Sequence, residues 1–63
     1  GSYAKAEIEL SKLINNQPNN FILNKLYGLT LMLQQKYLLA IKAYEICQNL
    51  KNFLLKGFYT KNQ

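Results

Sequence analysis

The sequence contains no histidine, aspartate, arginine, valine or tryptophan, and only one residue each of cysteine, methionine and proline. Each absence closes a class of chemistry. With Cys47 as the only thiol, no intramolecular disulfide can form, and the missing histidines remove the usual zinc ligand sets. General acid/base or nucleophilic catalysis would have to be built from three glutamates, eight lysines, five tyrosines and that thiol. Glu7 and Glu9 are two positions apart; on a helix they point about 200° from one another and cannot converge on a metal ion or a water. They read as solvated surface charges. No active site, metal site or cofactor is therefore expected.

Long hydrophobic runs are absent too. The most apolar stretch, Leu29 to Leu33, is interrupted by Thr30 and falls far short of the roughly 20 residues that span a bilayer. No secretory leader is recognisable, and Gly1-Ser2 reads as the remnant of a cleaved tag, so the native ends are expected to lie elsewhere.

What is present fits a single small folded unit covering residues 1–63. At 63 residues the chain lies near the lower edge of what folds without staples, and with 49% hydrophobic and 17% charged residues it is too apolar for a disordered tail. All the cations are lysines and all the acids glutamates, giving a net charge of +5. Enrichment in Lys, Asn, Ile and Tyr is also what an AT-rich coding sequence produces, so this charge carries little functional weight.

Apolar spacing is helical throughout. Tyr3, Ala6, Leu10, Leu13 and Ile14 step by three and four, predicting a helix over about 3–16. The segment Asn15-Asn16-Gln17-Pro18-Asn19-Asn20 combines a stop, a turn and an N-cap pair, so a second helix is expected to begin near Phe21 and run to about 34. Its apolar residues cover most of the circumference, which requires neighbours on several sides. Past Gln34-Gln35-Lys36, the residues Tyr37, Ala40, Ile41, Tyr44 and Cys47 predict a third helix over about 37–50, antiparallel to the second. Asn49-Leu50-Lys51-Asn52 reads as a break before a short fourth helix at 53–60, which would hold Phe53, Leu54, Leu55, Phe58 and Tyr59. Nothing alternates with the period of two that a half-buried strand needs, so the expected class is all-α with three to four helices.

The chain also repeats itself. At an offset of 34 residues Tyr3 aligns with Tyr37, Ala6 with Ala40, Leu10 with Tyr44, Leu13 with Cys47 and Asn15 with Asn49. Together with Tyr27-Gly28-x2-Leu31, Ala40-x3-Tyr44 and the helix-ending Pro18, this pattern resembles the tetratricopeptide repeat over roughly residues 3–50. The resemblance implies antiparallel hairpins stacked as a short solenoid, one full repeat flanked by half repeats. It implies packing roles for Tyr3, Ala6, Leu10, Pro18, Tyr27, Gly28, Leu31, Tyr37, Ala40, Tyr44 and Cys47, with Gly28 and Ala40 marking close helix approach. Cys47, on the apolar face at a position for a small packing residue, is expected to be buried and inert. Three departures stand out: Asn24 replaces a large apolar residue, Cys47 an alanine, and Asn52 a second proline.

In the family, the first helix of each hairpin lines a groove for a segment of a partner. By that position the resemblance implies partner contacts at Ile22, Lys25, Leu29, Met32 and Leu33. Lys25 matches the lysine of the carboxylate clamp that holds chaperone C-termini, but Leu29 stands where asparagine is needed, so chaperone-tail binding is not expected. The implied function is a non-enzymatic interaction module for a protein or peptide partner, resting on apolar contact more than on charge. One alternative is self-association, the same apolar faces completing the missing repeats in a homo-oligomer. Another is a basic module for nucleic acid or an anionic membrane, with Lys51, Lys56 and Lys61 among apolar residues. It ranks lower, because the lysines are spread along the chain and no arginine supplies bidentate readout.

Overall fold

The computed structural model describes the backbone of residues 2–61 and the side chains of residues 2–57. Three helices account for nearly all of it: α1 (Tyr3–Asn16), α2 (Phe21–Leu33) and α3 (Tyr37–Lys61), with no strand among the described residues. The central helix, α2, packs against both of the others.

Local chemistry sets the ends of α1 and α2. At Gln17 the backbone N–H donates to the carbonyls of Leu13 and Ile14 (2.9 and 3.1 Å), closing α1 just before Pro18. Asn20 then caps α2: its backbone is extended and its Oδ1 accepts the Leu23 N–H at 3.1 Å, satisfying one of the free donors of the first turn. A second asparagine locks the turn from inside. Asn24, only 4% exposed, donates from Nδ2 to the carbonyls of Pro18 (3.1 Å) and Asn20 (2.8 Å). A leucine or tryptophan there could fill the space but could not hold the Pro18 carbonyl.

The turn between α2 and α3 forms without glycine. The Lys36 N–H donates to the Leu31 carbonyl and the Gln35 N–H to the Met32 carbonyl, both at 2.9 Å, which is the Schellman pattern. Gln35 takes the left-handed conformation this requires (φ 62°), at about 1 kcal/mol for a residue with a Cβ.

The expected break at 49–52 does not occur. Helix α3 runs without interruption from Tyr37 to Lys61, so the expected third and fourth helices are one. Asparagine in a helix costs only a fraction of a kcal/mol, no proline follows, and Gln48 Nε2 donates to Asn52 Oδ1 at 3.1 Å across one turn of the segment. The packing expected of Phe58 and Tyr59 lies outside the described side chains.

Contacts between the helices run in opposite order along the chain. Glu7 meets Gln34 and Ile14 meets Tyr27, so α1 and α2 are antiparallel; Leu31 lies with Ala40 and Ala43, Gly28 with Tyr44 and Phe21 with Leu54, so α2 and α3 are as well. The core is small and built from short side chains: Leu31, Ala40, Ala43 and Cys47 are buried, with Tyr27 and Tyr44 packed at its edge. A Cβ on Gly28 would stand 3.1 Å from the Tyr44 ring, so this helix pair meets where there is no side chain to separate it.

One polar cluster joins α1 to the turn between α2 and α3. Glu7 Oε1 accepts from Gln34 Nε2 and from Lys36 Nζ, each at 2.8 Å, tying α1 to the turn that follows α2. Glu7 is thus a paired, partly covered carboxylate rather than the solvated surface charge expected of it. The Lys36 and Gln34 hydrogen bonds hold its carboxyl below the usual carboxylate range. A carboxylate with a depressed folded-state pKa adds stability that is complete above its unfolded value and is lost as pH falls through the folded one. Melting temperature is therefore expected to be flat from pH 7 to about 5.5 and to decline below the ordinary glutamate value of 4.5. Because aspartate and histidine are absent, few groups share that window, and Glu7→Gln should flatten the decline while lowering Tm at pH 7 by about 4 °C or less. An acid decline that Glu7→Gln leaves untouched would assign it to other carboxylates.

Candidate binding surfaces

The five residues placed at a partner surface by their position on the second helix all lie on one exposed side of α2. Ile22, Leu29 and Leu33 are about half or more exposed, Met32 is 38% exposed, and Lys25 stands at the edge. At about 100° per residue these positions and Leu26, also exposed, fall within an arc of roughly 120°. The rest of the circumference is occupied: Tyr27 and Gln34 face α1, while Asn24, Gly28 and Leu31 face α3. Leu26 is not among the positions that the repeat resemblance implies, although the spacing Ile22, Leu26, Leu29, Leu33 marks it.

This arc is a ridge, and hollows in the surface lie elsewhere. Two of them flank α3 where it runs past the turn between α1 and α2. One, of about 380 Å³, is lined by Asn19, Ile46, Asn49, Leu50, Phe53 and Leu54. The other, of about 460 Å³, is lined by Phe21, Lys25, Lys51, Leu54 and Leu55. Lys25 alone belongs to both the α2 ridge and a hollow. Neither hollow could be anticipated from a chain broken at 49–52, because both depend on α3 continuing through that segment.

The residues assigned to repeat packing divide by depth. Gly28, Leu31, Ala40 and Cys47 are buried; Ala6, Leu10, Tyr27 and Tyr44 are half-buried. Tyr3, Tyr37 and Pro18 are exposed, the two tyrosines at the first positions of α1 and α3. Ala43, one turn from Ala40, and Thr30 are buried although the pattern did not single them out, and Asn24, a departure from that pattern, is buried too. Thr30 satisfies its hydroxyl within the helix by donating to the Leu26 carbonyl at 2.8 Å.

Burial pushes the Cys47 thiol above its ordinary pKa, against a weaker opposing pull from the charge of Lys25. The neutral thiol is a poor nucleophile and sits in the seam of α2 and α3. Among the described residues no group of three His, Cys, Asp or Glu side chains could hold a metal ion, and no helix is long and apolar enough to cross a membrane. Comparison with family models, with curated proteins and with solved structures finds no match.

Proposed function

We propose that the chain is a non-enzymatic interaction module, a short tetratricopeptide-like array whose exposed α2 ridge docks on another polypeptide. The observation that carries this reading is the ridge: Ile22, Leu26, Leu29, Met32 and Leu33 share one face of α2 and remain open while its other faces are covered. Patches of this kind on small soluble domains mark interaction sites. The repeat-like arrangement is supported by register. Helices α1 and α3 start 34 residues apart, at Tyr3 and Tyr37, and in each the first turn closes on the equivalent bond, Ala6 N–H to the Ser2 carbonyl and Ala40 N–H to the Lys36 carbonyl.

Self-association through the exposed apolar faces is a second reading, for which the chain has surface enough. The chain exposes 5155 Å², whereas a compact monomer of its mass would expose roughly 4,200 Å². The excess, roughly 1,000 Å², is close to the roughly 800 Å² that each partner buries in a standard interface.

The test is sedimentation equilibrium across a wide concentration range at low and high salt, on the parent chain and on Leu29→Lys. A salt-insensitive dimer that Leu29→Lys dissociates by tenfold or more (about 1.4 kcal/mol) would make a second copy the occupant of the ridge. A monomer leaves the ridge for a different polypeptide, which Leu29→Lys should release by a similar factor. In both cases helix content by circular dichroism should stay at the parent value, since Leu29 faces outward. Loss of fold in Leu29→Lys would overturn the placement, and association with polyanions that collapses with salt would transfer the function to a basic module.

A further inference from the structure

The end of α3 carries a surface that shares only Lys25 with the ridge on α2. We infer that the two hollows flanking α3 form a second docking site, selective for an acidic amphipathic helix of a partner protein.

Three observations converge on it. The first is apolar relief. Leu54 is the wall shared by both hollows, with Ile46, Leu50 and Phe53 on one side and Phe21 and Leu55 on the other. Ile46, Leu50, Phe53 and Leu54 follow the three- and four-residue spacing that forms ridges and grooves on a helix, the relief into which another helix packs. Phe53 is 74% exposed and Leu54 58%, so a partner would find these groups uncovered.

The second is charge. No acidic residue lines either hollow, and beyond Glu45 the sequence has no aspartate or glutamate. Lys25 and Lys51 flank the floor of the second hollow. A second copy laid along this end would set lysine against lysine, whereas glutamates flanking an apolar stripe would meet the lysines with opposite sign.

The third is shape. Phe53, Leu54 and Leu55 are consecutive, so they point about 100° apart around α3 and cover more than half its circumference. A flat bilayer engages one face of a helix, whereas a partner helix can seat its side chains beside the shared wall at Leu54.

This inference rests on the reading of the chain as a protein-binding module but not on what covers the α2 ridge. Its test is fluorescence anisotropy with a labelled 18-residue amphipathic peptide of leucine and glutamate, against an analogue with lysine in place of glutamate, at 50 and 300 mM salt. The acidic peptide is expected to bind the parent chain at least tenfold tighter than the basic one. The double variant Lys25→Glu, Lys51→Glu and the variant Leu54→Ser should each weaken that binding about tenfold. Leu29→Lys should bind it as the parent does. Equal affinity for both peptides, no affinity for either, or equal loss in Leu29→Lys would overturn the inference, the last returning the peptide to the ridge. Binding to vesicles of phosphatidylglycerol that Leu54→Ser abolishes, or a dimer that Leu54→Ser dissociates, would also overturn it, in favour of a membrane or a second copy. If Leu29→Lys abolishes the association seen in sedimentation while the acidic peptide fails to bind, the ridge stands and only this second site falls.

Discussion

Leu31→Ala is expected to leave much of the chain unfolded at room temperature. Among the described residues Leu31 is the one large side chain that is essentially fully covered, 1% exposed, and it packs with Ala40, Ala43, Tyr27 and Tyr44. Truncating a buried leucine costs about 2–5 kcal/mol, the higher values where neighbours cannot close the gap. Here they cannot easily do so: Ala40 and Ala43 have no reach, and the Tyr44 ring is already held against Gly28. A single core in a chain of this size supplies about 3–5 kcal/mol in total, so the loss is comparable to the whole. Two readouts follow. Helical ellipticity should fall at 25 °C, and Cys47, buried and with its pKa raised in the parent, should react with a thiol reagent as fast as it does in denaturant. A Leu31→Ala chain that melts within about 8 °C of the parent would show that stability resides elsewhere, since 1 kcal/mol moves Tm by about 4–8 °C at this length.

The dependence on so few residues also explains which parts of the fold can be read from the sequence. The stop at Asn16 and the start at Phe21 are legible because their causes are local: a proline, a polar run and a capping asparagine lie within six residues of each other. The continuity of α3 is not, because asparagine is only a mild helix breaker and the bond from Gln48 to Asn52 that favours continuation looks no different in sequence from a polar break. The break at Gln34-Gln35-Lys36 is legible from its polar run, but the left-handed Gln35 that closes it has no glycine to announce it. Asn24 reads as a defect in the repeat pattern until its two carbonyl partners are placed beside it. Glu7 finds its partners 27 and 29 positions away, a distance at which spacing along one helix carries no information.

The candidate surfaces divide in the same way. The α2 ridge follows from helical spacing and from position in the repeat, so its members could be named directly. The hollows on α3 arise from a mismatch in length: α2 has 13 residues and α3 has 25, about 20 and 37 Å respectively at the usual rise. Past its pairing with Phe21 and Lys25, α3 has little beside it; a Cβ added at Gly57 would meet nothing within 4 Å. Neither helix announces that mismatch alone, because it depends on where two separate segments end.

Ala40→Leu should lower Tm by about 4 to 20 °C, the second largest effect expected of a single change. Ala40 is 0% exposed and lies in the seam where α2 and α3 approach each other. Alanine and leucine are both strong helix formers, so the substitution leaves the intrinsic stability of α3 nearly unchanged and isolates packing. Three added carbons must displace Leu31 or one of the tyrosines, or push the helices apart, and overpacking of this kind costs about 1–3 kcal/mol. Displacement of the Tyr44 ring would uncover the backbone at Gly28, so the loss should be felt on both helices at once. Ala4→Leu, at an exposed position of α1, is the matched control and should leave Tm within about 2 °C of the parent. A second measurement separates overpacking from a merely weakened helix. If the seam opens, Cys47, one to two turns further along the same face of α3, should become reactive toward thiol reagents at temperatures where the helical signal is still that of the folded chain. An unchanged Tm together with a protected thiol would mean that Ala40 is not a point of close approach, and it would remove the packing argument on which the tetratricopeptide-like reading depends.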